Sequence, residues 1–191
     1  MIYHHPFTFL APSIQKKAFF ILTLLTLAVM TALTLLGGPL KTEQAPLGIV
    51  SFEFSKTLPQ AQQMLDSWGS DGQVYAALNL GLDYVFLVLY PCSIALGGAL
   101  LSDALKLRQS FLSGAGALLS WLQFGAGASD AVENAALITV LLGSQQPAWP
   151  ELAWWCAGIK FTIVGIGLGY VMIGAVYMLG ITLLRARETT R

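Results

Sequence analysis

Ser129 to Leu137 reads SDAVENAAL, inside an apolar run that extends from about Phe111 to Leu142. Asp130, Glu133 and Asn134 stand there where a bilayer helix would carry leucines. On a helix, Gln123, Asp130, Glu133, Asn134 and Leu137 share one face. A charge in the hydrocarbon region costs several kcal/mol, so such a face turns toward other helices or a wet cavity. The stretch therefore predicts a bundle of several helices, with a polar stripe hidden from lipid.

The rest of the chain supports a membrane setting. Of 191 residues, 55% are hydrophobic and 10% are charged, against about 25% charged in soluble domains. A spanning helix needs about 20 mostly apolar residues. Four segments qualify: 18–36, 74–101, 111–142 and 152–184, with 37–73 as a loop outside the membrane. The expected fold is an all-α integral membrane protein, a four-transmembrane-helix bundle forming a single domain over 1–191. The first span is expected to be retained, since its apolar core is long for a leader peptide and no A-x-A-like site follows it.

Lys and Arg set the expected orientation. Lys16 and Lys17 precede the first span, Lys106 and Arg108 separate the second from the third, and Arg185, Arg187 and Arg191 follow the fourth. The connection GSQQPAWPE has neither residue type. Both termini are thus expected in the cytoplasm, in a bacterial inner membrane or its equivalent. Trp68, Trp149, Trp154 and Trp155 then fall near the outer interface. In the outer loop, Thr57–Gln60 (TLPQ) fits a capping box, and Ala61, Met64, Leu65 and Trp68 follow at helical spacing up to Gly69. This predicts a short extracytoplasmic amphipathic helix. LGIVSFEF before it is expected to fold back on the bundle.

With about 1.5 Å of rise per residue, Asp83, Glu133 and Lys160 come to one depth, roughly 12–14 Å from the outer edge, with Asp130 about 18 Å down. Asn79 and Asp83 share a face of the second span. Asn79, Asp83, Asp130, Glu133, Asn134 and Lys160 form the candidate ligand-binding cluster. Three carboxylates there meet one lysine, so a proton or a cationic ligand must balance the excess. Lys160 is expected to pair with Asp83 or Glu133, and Asn134 to hold helices together.

Other chemistries lack their residues. Zero net charge and no basic tract exclude a nucleic-acid partner. His4 and His5 are the only histidines and lie in the N-terminal tail, which removes a bis-histidine haem, a zinc centre and a Ser-His-Asp set from the bundle. No metal or cofactor is expected, and no residue is assigned as catalytic; any reaction would rest on proton transfer by Glu133 or Asp130 with Asp83 and Lys160. Cys92 and Cys156 read as two separate buried thiols. The glycine-rich runs of the third and fourth spans read as close helix packing.

Three functions fit these observations: a bundle that binds a small amphipathic, cationic-headed ligand from the outer half of the membrane; a proton- or cation-coupled protein; and a non-catalytic structural or assembly subunit. The expected partners are lipid, that ligand, and a second membrane protein or a further copy of the chain.

Overall fold

The computed structural model describes residues 4–106 and 111–189, with Phe111 and 181–189 described by backbone alone. All regular elements among the described residues are helical. They are α1 (Pro12–Leu36), a 3-10 turn (Gly38–Leu40), α2 (Ile49–Glu53), α3 (Leu58–Lys106), α4 (Phe111–Leu141) and α5 (Ala148–Thr189). α1, α3 and the Ala148–Gly180 part of α5 are long and apolar enough to cross a membrane. α4 is also long, at 31 residues, but its polar stripe and its Gly, Ala and Ser residues dilute its apolar character. Arg108 and Arg191, and the side chains of Arg185 and Arg187, lie outside the described residues.

α4 packs between α3 and α5, and α1 lies along α3. Pro12 starts α1, where its missing N–H costs nothing. Gln15 is the buried residue of α1, and its amide donates to the carbonyls of Phe7 and Leu10. A half-buried stripe of α1 that includes Phe19, Leu22, Val29 and Leu33 lies along α3, joined to it by Thr23 to Ser93 at 2.9 Å and by Asn79 to the Leu33 carbonyl at 2.9 Å, while the other faces of α1 are exposed.

Gly69 divides α3. Its φ of 61° and ψ of −172° break the helix, a backbone region that a side chain disfavours. The amphipathic helix expected to end there does so, and the long apolar helix resumes directly after it rather than at Val74. Pro91 sits inside that helix and cannot donate to the Leu87 carbonyl. Here α4 comes close: a Cβ on Gly127 would stand 2.8 Å from that carbonyl oxygen and 3.0 Å from Pro91 Cγ.

The core gathers at one end of the bundle, the cap end. Leu40, Phe52, Leu65 and Trp68 pack on Leu80, Leu137 and Val140. Phe52 meets Trp68 edge to face at 5.3 Å, and the Trp68 indole N–H donates to the Leu40 carbonyl at 2.7 Å. Burying one such side chain stabilises by about 1.5–3 kcal/mol. The amphipathic helix therefore caps the bundle, and LGIVSFEF does fold back, as the short α2. At the other end His5, which the sequence places in a simple tail, is buried and bonds Asp103 at 2.9 Å. Asp103 also pairs with Lys106 at 2.7 Å.

Candidate functional site

Beneath the cap core lies a cluster of charges. α5 brings Lys160, and α4 turns Asp130 and Glu133 toward it, one helical turn apart. The Lys160 Nζ donates to Asp130 Oδ1 and to Glu133 Oε1, each at 2.9 Å. Glu133 is 0% exposed, Asp130 2% and Lys160 7%. The polar stripe of SDAVENAAL is thus turned wholly inward.

Asp83 comes from α3 on the other side of α4. It lies beside the cluster and feels the charges of Asp130 and Lys160. Its direct partner is Asn134, whose amide donates to Asp83 Oδ2 at 2.6 Å. Of the two partners expected for Lys160, the structure gives Glu133; Asp130 joins it as a second partner, and Asp83 is held by Asn134 instead. The reason is reach, since Asp130 and Glu133 share the helix face that meets α5. Asn134 ties α4 to α3, in keeping with its expected role. Asn79, on the same stretch of α3, bonds the Leu33 carbonyl of α1 and so serves that contact rather than the cluster.

A fourth carboxylate belongs to the site. Glu53 of α2 reaches down from the cap, and its Oε2 lies 3.5 Å from Lys160 Nζ. It also senses Asp130 and Asp83, and burial raises its carboxyl from 4.5 to about 7 against the pull of Lys160. In the sequence Glu53 reads as one of several loop charges balancing Lys41 and Lys56. The available signal is its place between Phe52 and Phe54: an acid flanked by two phenylalanines in a segment that folds back.

The acceptors are not all used. Glu53 Oε2 and Glu133 Oε2 are buried with no hydrogen-bond donor, although the former is within ion-pair range of Lys160. The Tyr90 hydroxyl, facing the same charges, and the Ser55 hydroxyl are buried likewise. Such groups normally find partners. Gln123 is fully buried deeper in the bundle and donates to the Ile163 carbonyl at 3.2 Å; a side chain on Gly167 would collide with it.

Aromatic rings close the site above Lys160. Phe161 lies 4.8 Å from its Nζ and stacks on Phe54 at 5.7 Å. Lys56 sits over Trp154 at 4.4 Å. A cavity of about 280 Å³ opens at the cap end between Gln62, Asp66, Gln73 and Gln145. It shares no residue with the charged cluster. Among the described residues no three His, Cys, Asp or Glu side chains are placed to hold a metal ion. Cys92 and Cys156 are free thiols.

No protein-family model, no curated protein and no solved structure matches this chain.

Proposed function

We propose that the chain is an integral membrane four-helix bundle that binds the cationic head of a small amphipathic molecule. The observation that carries this reading is the excess of acceptors. Glu53, Asp130 and Glu133 all lie within ion-pair range of Lys160, Asp83 lies beside them, and Glu133 Oε2 is buried with no donor. Buried charge without compensation is costly, so the site has room in its charge balance for a proton or an ammonium. A primary ammonium supplies both charge and N–H donors.

In this reading α4 also spans, as the third of four, held between α3 and α5, which spares its polar face from lipid. The cap end lies outside and both termini lie in the cytoplasm of a bacterial inner membrane or its equivalent, following the Lys and Arg bias. The ligand enters from the outer half of the membrane, and lipid or another copy of the chain covers the apolar flanks of α1 and α5.

The test uses purified protein in a non-ionic detergent. Decylammonium should raise the melting temperature, and decyltrimethylammonium, which has no N–H, should do so much less. Decanol should have no specific effect, and Glu133→Gln should abolish the response. Equal responses to all three compounds, or none, would overturn the proposal.

A second reading, a structural lock between helices, is favoured by the enclosure of the cluster and by a cap-end cavity that stops short of it. It expects no ammonium response, and Glu133→Gln as damaging as loss of Lys160.

A further inference from the structure

The cluster has a cover of unusual build. Phe52 is seated in the apolar core, which fixes the near end of the segment that follows. Glu53 then points into the charges, Phe54 lies over Phe161, and Ser55 is buried with an unpartnered hydroxyl. At the far end Lys56 adopts a φ of 54°, a left-handed conformation uncommon for a residue with a side chain. Its ammonium rests on Trp154. The short turn is held by the Phe54 amide to the Val50 carbonyl at 3.3 Å and the Ser55 amide to the Phe52 carbonyl at 3.1 Å. A strained hinge, few local bonds and one charged tether are features of a segment that can lift.

The charges facing Glu53 decide when it stays down. α5 presents Lys160; α4 presents Asp130 and Glu133; α3 presents Asp83. Lys160 offsets one of these carboxylates, and Glu53 is the member carried on the short α2 rather than on a long helix. Lifting it removes one negative charge from a low-dielectric interior and hydrates it. A proton on Glu53, or an ammonium beside it, removes that drive.

We propose that Glu53–Lys56 is a charge-sensing lid, which closes when Glu53 takes a proton or an ammonium sits beside it, and lifts when neither is present. The ammonium half of this proposal rests on the binding reading above; the proton half stands on the lid alone. Proton and amine are then alternative occupants, so that an amine entering at neutral pH displaces a proton.

The direction of the pH effect follows from the raised carboxyl of Glu53. The closed form holds the proton more tightly, near 7 against 4.5 in water. Closure is therefore complete below about 4.5 and is lost as pH rises through about 7.

Hydrogen exchange read by mass spectrometry on the full chain in non-ionic detergent tests this. After correction for the intrinsic exchange rate, protection of the Glu53–Leu58 peptide should fall on the order of tenfold from about pH 5 to about pH 8. The Trp68-containing peptide should not change. Glu53→Gln should keep the lid protected at both pH values, and decylammonium at the higher pH should restore protection in the native chain. Protection independent of pH in the native chain overturns the lid, whatever the variant does. A pH dependence that persists in Glu53→Gln overturns Glu53 as its sensor. A pH dependence with no effect of decylammonium overturns the ammonium half and, with it, the binding reading, while upholding the proton-sensing lid.

Discussion

Phe52 and Glu53 are neighbours on α2, yet they enter two different kinds of interior. Phe52 joins Leu40, Leu65 and Trp68 in an apolar core that any soluble helical protein would recognise. Glu53 drops into a nest of three other carboxylates and one lysine, where Glu133 Oε2 has no donor. The first region is satisfied: its one polar indole N–H has the Leu40 carbonyl, and its stability comes from area removed from water. The second is held by attraction that must offset the desolvation of every charge in it, and so remains sensitive to protons and cations. One region fixes the position of α2, and the other responds to what is bound.

The largest expected effect separates them most clearly. Lys160→Met leaves Asp130 and Glu133 without their shared donor, and should cost about 3–5 kcal/mol of stability at neutral pH, because removing one side of a buried pair strands the other. Much of that loss should be recovered on acidification, as protons replace the lysine. Thermal melts at several pH values check this. Phe52→Ala should cost roughly 3–5 kcal/mol through the cavity it leaves, with the same loss across pH; a loss that varied strongly with pH would mean that the two interiors are not separate.

Smaller effects sharpen the division within the charged region. Asn134→Leu removes the donor to Asp83 and should cost about 1.5–3 kcal/mol, the range for a hydrogen bond to a charged group. Denaturation in mixed micelles, monitored by the tryptophans, measures it. Glu133→Gln keeps shape and an acceptor for Lys160 while removing one negative charge, and should change stability by less than about 1 kcal/mol, with stabilisation the expected sign. A cost comparable to that of Lys160→Met would return the cluster to the structural-lock reading.

How far the sequence carried this picture depends on the kind of signal. Helical periodicity and apolar length made α1, α3 and α5 legible, and a lone glycine after Trp68 marked the corner in α3. The convergence of Asp130, Glu133 and Lys160 followed from depth and face alone, because charges in an apolar helix have few places to go. Three details did not follow. Asp83 and Asn79 share a helix face in sequence, but the wide face spreads over different neighbours, α4 for Asp83 and α1 for Asn79. Glu53 reached the site through a chain reversal that no periodicity encodes; its depth could not be counted from a membrane edge. Asp130 was favoured over Asp83 as the lysine's partner by side-chain reach across one interface, a matter of ångströms rather than of turns.

The attachment of α1 has its own consequence. Gln15 apart, the helix buries no side chain fully, and its ties to α3 include the Thr23–Ser93 and Asn79–Leu33 hydrogen bonds. In a bilayer an apolar helix gains nothing from hiding oily surface against another, so docking rests on close contact and such polar links. Were α1 to lie in a bilayer, its docking would depend chiefly on α3. Its seam on α3 combines those serine and asparagine links with a half-buried apolar stripe that includes Phe19, Leu22, Val29 and Leu33, and Phe19 lies close against Gly97.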